Sequence, residues 1–325
     1  MAGKKFLLLQ SNPMFQNTLD DIAQDENVVI YHKKRVSQSW FVNLLFNIHN
    51  SGKIQKYIEL PLKKVWDGFL FNKLLKTYTP DYVVFTISWD SEHLLKYFRR
   101  KCCNAKIILR FTDKIANGLG DNYITKINRI RERYDGVLVY SMEDAKQFGF
   151  TYHSVGYSVV NNERLMPCKS YDVVFIGAEK GRIDKIREAY NIFKSAGLSC
   201  FFYVTMVREA DRKDDGMIYA DSGISFKEYL SYVYSAKCLF ELVQVGSSGR
   251  TFRMMEAIMY NKLLITNCPE ITETGYYNPR YVQLFKDVSE IDARFVVDSQ
   301  KDVDYHYDDG FSPRNVLEFI ELTWK

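Results

Sequence analysis

The chain contains no run of about 18 apolar residues, the length a membrane-spanning helix requires, so no transmembrane segment is expected. Its first residues, MAGKKFLLLQSNP, offer only Phe6 to Leu9 as a continuous apolar block. That block is too short for a secretory signal and reads as a strand. The six cysteines, at 102, 103, 168, 200, 238 and 268, form no C-x-x-C and have no neighbouring histidine pair. Zinc sites and a disulfide framework are therefore disfavoured, and a cytoplasmic protein with reduced thiols is expected. No G-x-G-x-x-G follows either candidate first strand, which argues against a dinucleotide-dependent dehydrogenase. No Asp-x-Asp of the metal-binding kind stands at a strand end, and Asp214-Asp215 and Asp308-Asp309 read as solvated charge. Neither a metal nor a cofactor is expected. Internal repeats and low-complexity segments are missing as well.

What remains is a globular composition, 46% hydrophobic and 26% charged, in a chain of 325 residues, long enough for two domains. The net charge of +4 conceals an asymmetry. Residues 1–160 hold 23 Lys and Arg against 15 Asp and Glu, whereas the remainder holds 21 against 25. Basic residues in the first part alternate with aromatics: Lys33, Lys34 and Arg35 precede Trp40 and Phe41, and Lys63 and Lys64 precede Trp66. Such interleaving suits an anionic membrane surface, and a peripheral position on the inner face of the plasma membrane is one expectation. A non-catalytic nucleic-acid-binding role for this basic half is the reading from a different class. It lacks a recognition-helix motif, a zinc knuckle and a ribonucleoprotein aromatic pair.

Along the chain, short apolar runs alternate with helical periodicity. Strands are expected at Phe6–Gln10, Val28–Tyr31, Tyr82–Ile87, Lys106–Arg110 and Gly136–Tyr140. Between them, 37–50 carries Trp40, Phe41, Leu44, Leu45 and Ile48 at helical spacing, and 111–121 reads as a loop. A second alternating set begins at Tyr171, with 206–220 as a charged loop and Val288–Arg294 as a helix. Ser225 and Glu228 form a capping box ahead of another helix. This order predicts an α/β protein of two Rossmann-like parallel-sheet domains facing a central cleft: 1–155, a linker at 156–170, and 171–325, with the last helix free to pack back on the first domain. Ligands of such sheets sit beyond the C-terminal strand ends.

The most informative stretch is 246–265, GSSGRTFRMMEAIMYNKLLI. A small-residue turn leads into a helix, Asn261 suits a left-handed helix end, and a buried strand follows. Free amides at a helix start favour anions, and Arg250 and Arg253 add positive charge where the helix dipole disfavours it, which points to a phosphate. The segment Thr251-x-Arg253-x-x-Glu256-Ala257 with Asn261-Lys262-Leu263-Leu264-Ile265 resembles the nucleotide-sugar motif of GT-B glycosyltransferases. More narrowly, with Ile107–Asp113, the Tyr-Asp-Gly-Val strand and Glu-Asp-Ala of 134–145, and Phe-Ser-Pro at 311–313, the chain resembles bacterial transferases of lipopolysaccharide and capsule synthesis.

That resemblance implies a metal-independent enzyme moving a sugar from a UDP- or GDP-linked donor to a saccharide or lipid-linked acceptor. It implies that Glu256 holds the ribose hydroxyls, that Arg250 and Arg253 meet the diphosphate, and that Ser247, Ser248, Gly249 and Thr251 cradle it. Gly177 would allow close approach of the ligand, with Lys180, Arg182 and Arg208 as further phosphate contacts. Retaining members with paired glutamates place the second one eight residues earlier, where this chain has Ser248, so the anomeric outcome does not carry over. Asp113 and then Asp90, just past first-domain strands, are the candidate bases. His32, His49, His93 and His153 show no partner pattern in sequence. A nucleotide-sugar 2-epimerase is the alternative within the same fold.

Overall fold

A computed structural model describes residues 3–10, 17–32, 39–49, 63–120, 123–161, 165–166, 168–244, 249–299 and 302–325. The loop at 11–16, Pro167, Ser247 and Ser248 lie outside the described residues. Two compact units emerge: Met1–His153 with Pro313–Lys325, and Ser154–Ser312.

The first unit runs β1 (Phe6–Gln10), α1 (Asp20–Ala23), β2 (Val28–His32), α2 (Trp40–His49), α3 (Lys63–Leu75), β3 (Tyr82–Thr86), α4 (Glu92–Lys101), β4 (Lys106–Arg110), α5 (Ile115–Leu119), α6 (Tyr123–Arg133), β5 (Gly136–Val139), α7 (Met142–Phe148) and β6 (Thr151–Tyr152). Its strands are ordered β2-β1-β3-β4-β5-β6 and every pairing is parallel. The two-residue period of a strand divides the core between two faces. Leu7, Leu9, Val83, Phe85, Ile107 and Leu109 pack against Phe71 of α3, Leu94 and Phe98 of α4, and Ile127 and Ile130 of α6. Phe6, Leu8, Tyr82, Val84 and Ile108 pack the other way. Local chemistry sets the helix ends. Ser91 and Ser141 accept the Leu94 and Asp144 amides as N-caps, and Gly149 closes α7 at φ 66°.

The second unit runs β7 (Tyr171–Ala178), α8 (Ile183–Ser195), β8 (Cys200–Thr205), β9 (Ile218–Ala220), α9 (Phe226–Ser235), β10 (Ala236–Glu241), α10 (Phe252–Met259), β11 (Leu263–Thr266), β12 (Val282–Leu284) and α11 (Arg294–Val297). The sheet order is β12-β11-β10-β7-β8-β9, again all parallel. Counted from β7, this is the doubly wound Rossmann order, and its direction reverses between β7 and β10. Ser225 accepts the Glu228 amide at the start of α9, and Asn261 stands at φ 52° after α10, both as the sequence predicts.

The chain ends with α12 (Pro313–Thr323), which belongs to the first unit. Val316, Leu317 and Ile320 cover the Phe6–Leu8–Val84 face, and the Tyr82 hydroxyl donates to the Trp324 carbonyl at 3.1 Å.

Three expectations change. The 111–121 loop contains α5, held because the Asp144 carboxylate accepts the Ile115 amide at 2.9 Å. The charged 206–220 segment contains β9, a short edge strand. The helix expected over 288–294 is a 3-10 turn, Val288–Glu290, followed by the separate α11. The amphipathic helix expected over 37–50 is α2, in which Phe46 is buried and Trp40 and Phe41 are 72% and 57% exposed.

Because Ile320 is fully buried against the β-sheet, Ile320→Ala should destabilise the protein by about 2–5 kcal/mol. Equilibrium urea unfolding measures this, and a loss below half a kilocalorie would show that α12 does not complete the core.

Candidate functional site

In each unit the place for a ligand follows from topology. Neighbouring connections leave in opposite directions at the sheet's switch point, opening a crevice at the C-terminal strand ends. In the second unit that crevice lies between β7 and β10, flanked by the turn after Ala178 and by the start of α10.

Two arginines meet there. Arg182 donates to the Ala178 carbonyl at 2.6 Å, to Glu179 O at 3.0 Å, and through Nη1 to the Leu242 carbonyl beyond β10. Arg253, in the first turn of α10, donates through Nη2 to the Ile176 carbonyl of β7, and its guanidinium lies 5.0 Å from the Phe175 ring centre. Each arginine therefore reaches across the switch point to the other strand's end. Burial and the neighbouring Arg253 charge both lower the Arg182 pKa. Among the described residues neither arginine has a carboxylate within ion-pair distance. Gly177 sits beside them, and a Cβ there would lie 3.9 Å from Arg253 Nη2.

Several amides beside the crevice are already occupied, among them that of Gly249, expected to cradle a phosphate. Lys180 and Gly181 have φ of 43° and 76°, an arrangement that turns consecutive amides inward. The Glu179 carboxylate accepts from those of Gly181 at 2.6 Å and Arg182 at 3.2 Å. Glu270 accepts the Gly249 amide at 3.0 Å, and Thr251 Oγ1 accepts that of Met254 at 3.1 Å as the N-cap of α10. Thr251 donates in turn to buried Glu241, whose other oxygen accepts from Thr266 at 2.6 Å. Arg250 turns to the Glu273 carbonyl, 3.2 Å away. Arg208 is exposed and pairs with Asp211 at 2.6 Å, and Lys180 is exposed at the turn. The structure thus gathers Gly177, Arg182 and Arg253 and leaves Arg208 and Arg250 tied to their own surroundings.

Glu256 is 1% exposed, not the open carboxylate a ribose would find. Its Oε1 accepts from the Tyr157 hydroxyl at 2.6 Å and its Oε2 from the Tyr229 hydroxyl of α9. Burial pushes its pKa up to about 7, against the two tyrosine hydrogen bonds and the Arg253 charge. The same burial, with Glu256 alongside, holds both tyrosines well above their ordinary range. Each Glu256 oxygen thus already accepts one phenol hydrogen bond.

In the first unit the switch point lies between β1 and β3. Asp90, just past β3, accepts from Arg133 at 3.0 and 3.1 Å and from the Tyr134 hydroxyl at 2.7 Å, so both oxygens serve the fold. Asp113 is exposed, and its carboxylate accepts the Lys114 amide at 2.7 Å and Asn117 at 3.1 Å. Two features escape sequence reasoning. His93 Nδ1 lies 2.7 Å from Asp67, a buried carboxylate of α3, a pairing across 26 positions that no local pattern announces. The Arg110 side chain, at the end of β4, has no hydrogen-bond partner among the described residues, and burial lowers its pKa to about 10. The glutamate closing the apolar strand Ala236–Glu241 was a readable signal for Glu241.

Solved structures share this architecture. HepE from Anabaena, solved with UDP, is 11% identical, with 98% of this chain and 100% of that one covered and a TM-score of 0.56. The fold is GT-B. The glycosyltransferase SnogD from Streptomyces nogalater is similar over 99% of this chain and 100% of its own, at 8% identity and a TM-score of 0.41. A UDP-N-acetylglucosamine 2-epimerase from Rickettsia bellii is similar over 98% and 96%, at 12% identity and a TM-score of 0.47. At these identities the likeness is one of GT-B fold. No family model and no curated protein matches the chain.

The raised Glu256 pKa fixes a pH dependence. The fold favours the protonated acid, so its contribution is complete below about pH 4.5 and is lost as pH rises through about 7. A shift of that size corresponds to about 3 kcal/mol. Unfolding free energies measured at pH 4.5 and 8 should therefore fall less steeply with pH in Glu256→Gln than in the parent. Parallel slopes would show that Glu256 is already ionised in the folded protein.

Proposed function

We propose that this protein is a metal-independent glycosyltransferase that takes a sugar from a UDP- or GDP-linked donor. The acceptor is a saccharide or lipid-linked saccharide, and the setting is bacterial surface polysaccharide synthesis of the lipopolysaccharide or capsule type. One observation carries the reading: two half-buried guanidiniums, bonded to carbonyls at the strand ends and paired with no carboxylate among the described residues, converge on the switch point of a Rossmann-ordered sheet. Positive charge kept there without a carboxylate partner suits a diphosphate, which arginine meets with paired hydrogen bonds. The complex of HepE with UDP-glucose, covering 99% of both chains at a TM-score of 0.55, supports the choice of ligand class. The narrower biosynthetic setting rests on the sequence resemblance at 107–113, 134–145 and 251–265.

In the transfer, the bond between the anomeric carbon and the diphosphate oxygen breaks, and the electron pair stays with the diphosphate. Arg182 and Arg253 stabilise the charge that develops there, a role a metal fills elsewhere. The acceptor oxygen forms the new bond and gives its proton to a carboxylate base. Asp113, which is exposed, is the candidate, whereas Asp90 spends both oxygens on Arg133 and Tyr134. Glu256 receives the ribose by exchanging one phenol for ligand hydroxyls, and half-buried Tyr229 is the phenol that yields, because Tyr157 is only 1% exposed.

Thermal shift with UDP, GDP and NAD tests the ligand class. Stabilisation by UDP or GDP and none by NAD is expected, and a larger effect of NAD would overturn the reading. Arg253→Ala should weaken the nucleoside diphosphate by about 1.5–3 kcal/mol while leaving uridine or guanosine binding little changed. Tyr229→Phe, by freeing one Glu256 oxygen, should tighten the nucleotide by about 1 kcal/mol. A weaker nucleotide in that variant would make Tyr229 a scaffold, not an occupant of the ribose position.

A further inference from the structure

We infer that α2 and the start of α3 form a docking surface for an anionic lipid bilayer. In α2, Trp40, Phe41 and Leu44 are 72%, 57% and 41% exposed, whereas Phe46 is buried. Positions 40, 41 and 44 fall on one side of a 3.6-residue helix, and 42, 46 and 49 fall on the other. This inner side meets Trp66 of α3, whose ring centre lies 5.3 Å from that of Phe46 and 5.8 Å from that of His49. The helix is therefore seated on the unit and still turns its apolar stripe outward. Beside it, α3 exposes Val65 and Phe69, 61% and 55%, one turn apart on the same side of the helix. Water around five large apolar side chains on two successive helices is costly, and apolar surface gathered this way marks an interaction site.

Charge selects the occupant. The α2 segment WFVNLLFNIH contains no acid, and the one acid of α3, Asp67, is buried with His93. Residues 33–64 carry Lys33, Lys34, Arg35, Lys53, Lys56, Lys63 and Lys64 against Glu59 alone. A second copy of this chain would bring like charges together, whereas an anionic headgroup layer complements them. Tryptophan and phenylalanine on the apolar side of a helix whose flanking sequence is basic is the pattern of a helix lying in the interface plane. No helix among the described residues is long and apolar enough to cross a membrane, so the contact is with one leaflet. This inference uses neither arginine of the second unit and stands apart from the transferase reading. If both hold, the surface brings the first unit to a lipid-linked acceptor.

The test is co-sedimentation of the full chain with phosphatidylcholine vesicles, with and without 30% phosphatidylglycerol, beside the variant Trp40→Ser, Phe41→Ser, Leu44→Ser. The three side chains are exposed, so the variant should keep the parent's thermal midpoint, which the same samples report. The parent should bind phosphatidylglycerol vesicles at least tenfold better than neutral ones, and 0.5 M salt should weaken that binding. The variant should lose at least tenfold. Equal binding of parent and variant, no preference for the anionic vesicles, or a parent dimer that the variant dissolves without any vesicle binding would each overturn the inference. The last of these would assign the surface to a second copy of the chain.

Discussion

The second unit depends on how its sheet closes at the switch point. In Rossmann order the connections that follow β7 and β10 leave in opposite directions, which opens a crevice at those strand ends. Two guanidiniums fill that gap from opposite sides: Arg182 crosses to the end of β10 and Arg253 to the end of β7. Carbonyls accept from some of their N–H groups, and neither guanidinium has an ion-pair partner among the described residues. Glu241 and Glu256 lie close enough to be felt electrically and not close enough to pair. The arrangement is stable as a fold and incomplete as an electrostatic system.

The surroundings of this gap are prepared for anions in a second way. Glu179 rests on the amides of a tight turn and Glu270 on the amide before α10, so carboxylates of the protein already occupy backbone positions that bind anions. Helix starts and turns of this kind favour negative charge whatever its source. The arginines, by contrast, bond to carbonyls and have no ion-pair partner among the described residues. The same distinction applies in the first unit, where Asp90 is tied to Arg133 and Tyr134 while Asp113 stays at the surface.

Sequence reasoning reached far into this architecture where physics acts locally. The α/β alternation, the Ser225 cap and the left-handed Asn261 follow from periodicity and backbone preference, and the structure shows each of them. Local reasoning failed where partners are distant. The α5 turn forms because Asp144 reaches back to Ile115, and the edge strand β9 exists because β8 offers it a ladder across a charged, turn-like sequence. Helical spacing in α2 identified an amphipathic helix correctly, yet spacing alone does not say which side meets the core. At the site, Arg253 and Gly177 were legible because they sit beside strand and helix ends. The burial of Glu256 was not, because Tyr157 and Tyr229 lie 99 and 27 positions away.

The most direct measurement is a crystal structure of the protein soaked with UDP. The account predicts diphosphate oxygens within hydrogen-bond distance, about 3 Å, of both the Arg182 and Arg253 guanidiniums. A diphosphate bound elsewhere, with both arginines still turned only to the strand-end carbonyls, would contradict it.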